Sequence, residues 1–204
     1  MAAAAPLTTI GAITGAADAA TQAHRVKPPD TRPVGLTHVF VIGDSLTFGA
    51  QFFGGVDAKL AAAGYQARVD GKVGRFIAAG ATILDNEVAH GRLEPLVFVA
   101  LGNNEVANHW SAKFLSQSID QLMAAAGDRW VIWMNVEQRD PTLSATFNAL
   151  LESKRQLYRH LVIADWASLN LAGLFDGPLH LTPTGYNVRA DFMVSSLNTF
   201  TLPH

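Results

Sequence analysis

Five short strand-like runs, at residues 39–42, 65–69, 96–101, 129–136 and 161–164, alternate with longer segments whose apolar residues recur every three or four positions. The first run, VFVI, and the third, LVFVAL, are unbroken and apolar, the pattern of strands buried on both faces. Strands of that kind, each followed by an amphipathic helix, are joined by right-handed crossovers into a parallel sheet covered on both sides. The expected fold is therefore α/β: a three-layer α/β/α sandwich around a five-stranded parallel sheet. In such a sheet the carboxyl ends of the strands share one edge. Residues 43–47, 71–75, 102–108, 136–140 and those from 165 onward are expected to converge there.

Between the runs, Phe48, Phe52, Val56 and Leu60 mark one helical face ending at Gly64, with Gly54 and Gly55 a weak point inside it. Phe76, Gly80, Ile83, Leu84 and Val88 mark a second face. Trp110, Phe114, Leu115, Ile119, Leu122 and Met123 mark a third, closed by Gly127. Asp140 and Pro141 form a helix start, with Leu143, Phe147, Leu150 and Leu151 as its stripe. Thr182 and Pro183 open a last helix that contains Phe192, Met193 and Leu197. Trp130 and Trp133 are expected in the core. Trp110 and Trp166 follow the third and fifth strands, so core burial is expected and a flat platform for a sugar is the alternative.

The first run stops at Gly43 and delivers Asp44 and Ser45 to the point where a strand becomes a helix. The first amides of a helix lack intrahelical partners and carry the positive end of its dipole, so an oxyanion is stabilised there. Asp and Ser are also ordinary caps, and Asp44 is equally suited to holding the amide of Leu46 or Thr47. The other loops supply what a serine needs for acyl transfer. Gly74 and Asn104 offer a backbone and a side-chain amide, with glycine at 74 letting the amide approach. His180, between the fifth strand and the last helix, offers an imidazole to take the serine proton.

Composition narrows the alternatives. The 204 residues, 49% hydrophobic and 16% charged, describe a folded domain with an appendage. A net charge of -2 gives no basic stripe for nucleic acid. With no cysteine there is no disulfide, thiolate metal site or cysteine nucleophile, and the histidines other than His180 show no paired metal spacing. No GxxxxGK[ST] loop supports nucleotide binding. Residues 1–36, Ala-rich and then Pro-rich, read as a tail or linker preceding a domain over 37–204. A signal peptide is the competing reading of that start, but no positive n-region precedes its small residues. No segment has 18 uninterrupted apolar residues, so no transmembrane span is expected.

The order GDSL (43–46), Gly74, GxN (102–104), then Asp176-Gly177 and His180-Leu-Thr-Pro183 resembles the SGNH hydrolases, the GDSL esterase/lipase family, over about 37–197. The segments VDGKVGR, LVFVALGNN and VIWMNV further resemble SGNH domains that work with membrane acyltransferases on cell-wall and surface polysaccharides. The resemblance implies the flavodoxin-like SGNH fold and Ser45 as nucleophile. It implies an oxyanion hole of Gly74, Asn104 and the Ser45 amide, with His180 as base and Asp176 orienting it. Asp176 lies four residues before His180 where the family usually has three, so either a bulged turn lets the carboxylate reach the ring or a backbone carbonyl orients it. Glu105 stands where many members carry Asp. The implied activity is hydrolysis of short acyl esters, O-acetyl above all, on carbohydrate, with no cofactor and no metal. Alternatives are an acyltransferase passing the acyl group to a sugar hydroxyl, with a membrane acyltransferase partner, and a decayed glycan-binding module. The family and the Ala/Pro-rich start favour an extracytoplasmic or secreted location over the cytoplasm.

Overall fold

The computed structural model describes residues 36–201; of the tail expected over 1–36, all but Leu36 lies outside the described residues. Leu36 itself is buried against the core. The sheet consists of β1 (His38–Gly43), β2 (Gln66–Gly71), β3 (Leu96–Ala100), β4 (Trp130–Met134) and β5 (Leu161–Ala164), all parallel, in the order β2-β1-β3-β4-β5. That is the flavodoxin-like order, and the expected α/β/α sandwich is what forms. The order reverses between β1 and β3, and ligands of such sheets bind beyond the carboxyl ends of the strands at that switch point.

Alternation along the strands builds two cores. Val39 and Val41 of β1, with Leu96, Phe98, Ile132 and Met134, pack beneath α1 (Ser45–Phe52), α2 (Val56–Ala62) and α7 (Pro183–Thr199). Phe40 and Ile42, with Val97, Val99, Val131 and Trp133, pack on the other face, against α3 (Ile77–Ala89), α5 (Ala112–Ala126) and α6 (Pro141–Arg155). Asp140 caps α6 by accepting from the Thr142 amide at 3.0 Å, with Pro141 in the first turn, and Thr182 caps α7 by accepting from the Gly185 amide at 3.1 Å. Both starts are where the sequence places them. No helix among the described residues is long and apolar enough to cross a membrane.

Two expectations change. The helical face drawn through Phe48, Phe52, Val56 and Leu60 belongs to two helices, broken where Gly55 takes a positive φ of 61°. The chain bends there because Gly54 passes so close to α7 that a Cβ would lie 2.5 Å from the Tyr186 carbonyl. Val56 and Leu60 are buried, but Phe48 and Phe52 are 48% and 76% exposed. The second change is added structure: the short helix α4 (Asn103–Ala107) follows β3, and a small antiparallel ribbon, β6 (Phe175–Asp176) with β7 (His180–Leu181), precedes α7.

Candidate active site

β1 ends at Gly43, and Asp44 turns the chain into α1. One carboxylate oxygen of Asp44, Oδ1, accepts from the Leu46 amide at 2.9 Å, and the other, Oδ2, accepts from Asn103 Nδ2 at 2.8 Å. Asp44 is wholly buried. Burial pushes its carboxyl above the usual range, opposed by the charge of Arg189 and by the Asn103 and Leu46 donors. Asp44 is thus both the cap and the strut tying the start of α1 to the loop after β3. Ser45, the first residue of α1, is left at the carboxyl end of β1, with 8% of its surface exposed.

His180 reaches Ser45 from the ribbon. Ser45 Oγ and His180 Nε2 are 3.2 Å apart across 135 positions of sequence. The ribbon is held at both ends: the Arg139 amide donates to the Pro178 carbonyl at 3.0 Å, and the Thr182 amide to the Leu174 carbonyl at 2.8 Å. Asp176 is the Cα partner of His180 across the ribbon. Both are exposed on one face, while Leu181 is buried on the other. Among the described residues no carboxylate is in hydrogen-bond or ion-pair contact with the imidazole. The structure therefore brings Asp176 opposite the ring without joining the two.

The amide candidates come from two loops held together. Asn104 Nδ2 donates to the Arg75 carbonyl at 2.9 Å, placing it one residue from Gly74 and leaving a second N–H. The loop is fixed to the end of β1 by the buried Arg75, whose Nη1 donates to the Gly43 carbonyl at 3.0 Å and whose Nη2 pairs with Asp70 at 2.7 Å. Gly74 has φ of 73°, and a Cβ there would meet nothing within 4 Å. Within the protein, then, glycine at 74 answers a backbone demand, a left-handed turn.

Three further residues brace the site, and of these the sequence singled out only Glu105, without a role. Gln138 Nε2 donates to the Asn103 carbonyl at 3.0 Å, bracing the loop after β3 from the loop after β4. Glu105, with no exposed surface, accepts from the Ile77 amide at 2.5 Å and so ties that loop to the first turn of α3. Burial pushes its carboxyl up to about 7, with the Ile77 donor opposing and the charge of Asp44 adding. Arg189, buried on α7, lies over the Trp166 ring at 5.3 Å, and burial lowers its guanidinium to about 10 against the pull of Asp44. A charged residue directly after GxN was a signal for Glu105. Arg189 gave none, because an arginine in an amphipathic helix reads as a solvent-facing one.

Trp166 and Trp133 are buried as expected, whereas Trp130 and Trp110, also expected in the core, are only half-buried, Trp130 at the start of β4 and Trp110 in the loop before α5. Among the described residues no three His, Asp or Glu side chains are grouped to hold a metal ion. A cavity of about 790 Å³ lies beside the amino ends of β4 and β5, lined by Trp130, Arg159 and His160, on the sheet edge opposite Ser45. It shares no residue with the serine site.

No family model matches the chain, and no curated protein sequence matches it. Solved structures do. The C-terminal catalytic domain of peptidoglycan O-acetyltransferase A from Streptococcus pneumoniae, carrying a methylsulfonyl adduct, is 20% identical, with 79% of this chain and 93% of that one covered and a TM-score of 0.63. A member of the lipolytic G-D-S-L family from Veillonella parvula is 16% identical, with 80% and 99% covered and a TM-score of 0.68. The psychrotrophic esterase EstA from Pseudoalteromonas sp., inhibited by monoethylphosphonate, is 17% identical, with 79% and 96% covered and a TM-score of 0.65. At these identities the likeness is one of fold: the chain has the α/β/α fold of the SGNH, or GDSL, hydrolases.

Proposed function

We propose that this chain is an SGNH-type serine esterase that removes short acyl groups, acetyl first among them, from hydroxyls of carbohydrate or cell-wall polysaccharide. The observation that carries the proposal is the 3.2 Å contact between Ser45 Oγ and His180 Nε2 at the carboxyl edge of the sheet. As Oγ attacks the ester carbonyl, Nε2 takes its proton, and the imidazolium then protonates the departing alcohol, leaving an acyl-serine. Water, deprotonated by the same nitrogen, then bonds to the acyl carbon, and as the carbon–Oγ bond breaks the imidazolium returns its proton to Oγ and the acid leaves. The oxyanion formed in each half is held by the amides of Ser45 and Gly74 and by the free N–H of Asn104. The Ser45–His180 distance is longer than an ideal bond, and such contacts tighten when substrate fills the site. Serine, imidazole and amides supply every step, so no cofactor is invoked.

The likeness to the catalytic domain of an O-acetyltransferase favours a second reading, in which the acyl-serine is discharged to a sugar hydroxyl instead of water, with a membrane acyltransferase as partner. The intact serine-imidazole contact weighs against a decayed binding module. Acetate release from ethyl acetate, compared between the wild-type chain and Ser45→Ala, tests the esterase reading: release is expected from the first and absent in the second. Retained release in Ser45→Ala would overturn it. Acetylated sugar appearing on addition of an oligosaccharide acceptor would favour the transferase.

A further inference from the structure

We infer that Trp110, backed by Phe76 and flanked by Phe114, is the platform on which the sugar ring of the substrate stacks beside the ester site. This rests on the reading of Ser45 as the residue acylated by a carbohydrate ester. The Phe76 and Trp110 rings are stacked, 5.3 Å between centroids and 12° from parallel. A cavity of about 440 Å³, within the range of small-molecule sites, is lined by His109, Trp110, Ser111 and Phe114.

The platform adjoins the oxyanion loops through bonded neighbours. Phe76 follows Arg75, whose carbonyl accepts from Asn104, and the Trp110 amide donates to the Glu105 carbonyl at 3.1 Å. The aromatic pair thus sits on the two segments that carry Gly74 and Asn104, two residues after the first and six after the second. Phe114 is left 58% exposed on a helix whose other large apolar residues are covered. His109, directly before the indole, holds its positive φ of 54° as the left-handed cap of α4, its amide donating to the Val106 carbonyl at 3.0 Å, and that cap sets where Trp110 leaves the helix.

The chemistry favours the alcohol side of the ester over its acyl side. A pyranose presents one face of C–H groups and a rim of hydroxyls, matching a flat aromatic floor edged by the polar side chains of His109 and Ser111. A long acyl tail would be better served by an enclosed channel, and this cavity is an open shelf.

The test compares two acetyl esters with the wild-type chain, Trp110→Ala, Trp110→Phe and Phe114→Ala. Ethyl acetate has no ring; glucose pentaacetate presents its acetyls on a pyranose. For Trp110→Ala, kcat/KM on glucose pentaacetate is expected to fall about tenfold, mostly through KM, with ethyl acetate changed less than about twofold. Trp110→Phe keeps a flat ring and should recover most of the loss. Equal losses on both esters, or none on the ring ester, would overturn the platform while leaving the esterase standing. Should Trp110→Ala fail to fold, the surface variant Phe114→Ala carries the same comparison, with about a threefold loss confined to the ring ester. Wild-type protein inactive on both esters would bring down the esterase reading and this inference with it.

Discussion

Asp176 and His180 are Cα partners across a ribbon of two residues per strand, side by side on its exposed face. This is how the chain accommodates a spacing of four: Gly177, with φ of 79°, begins a turn through Pro178 and Leu179 that returns His180 to face Asp176. The turn sets the two residues opposite each other, and among the described residues the carboxylate makes no hydrogen bond or ion pair with the ring. An aspartate already bonded to its histidine is worth roughly 10⁴-fold in kcat. We expect Asp176→Asn to cost about 10- to 100-fold and His180→Ala at least about 10⁴-fold on ethyl acetate. Equal losses in the two variants would show that the imidazole depends wholly on Asp176.

Asn104 offers one amide proton to the Arg75 carbonyl and has one left for substrate. Removing an oxyanion donor typically lowers kcat by roughly 100- to 1000-fold with little change in KM. Asn104→Ala is expected to behave so, and to lose about 1 kcal/mol of stability with the Arg75 bond. Steady-state kinetics and thermal unfolding separate the two effects. A rise in KM with kcat intact would assign Asn104 to substrate binding in the ground state instead.

Glu105 makes stability depend on pH in a direction that can be worked out. Its carboxyl is pushed up to about 7 when folded, against an ordinary 4.5. Between those values the folded chain binds more protons than the unfolded one, so this group's contribution is fully present below about pH 4.5 and is lost as pH rises through about 7. The loss is on the order of 3 kcal/mol. Glu105→Gln keeps an acceptor for the Ile77 amide and removes the titration. Its stability relative to wild type should therefore rise across that window, measured by urea unfolding at successive pH values. Parallel curves for the two proteins would contradict the assignment.

Much of the architecture was legible because it rests on local signals. The apolar run 39–42 ending at Gly43, the Asp140-Pro141 start and the Thr182-Pro183 start each specify an element within a few residues, and each forms where its signal lies. The strand alternation then implied that Ser45, Gly74, Asn104 and His180 share one edge. What was not legible depends on partners distant in sequence. Apolar spacing placed Phe48 and Phe52 in one stripe with Val56, but periodicity cannot reveal that the helix breaks where Gly54 meets Tyr186, turning both phenyl rings outward. Arg75 and Arg189 look like surface charges in sequence; the first is drawn inside by the Gly43 carbonyl and Asp70, the second lies over Trp166 near Asp44. A ribbon of two-residue strands is too short to leave a period at all.

The most direct test is to treat the chain with a fluorophosphonate and map the adduct by mass spectrometry, using His180→Ala as the control. One phosphonyl group on Ser45, slowed at least about 100-fold in His180→Ala, is the expected result. An unlabelled Ser45 in protein that still releases acetate from ethyl acetate, or a label on any other serine, would contradict it.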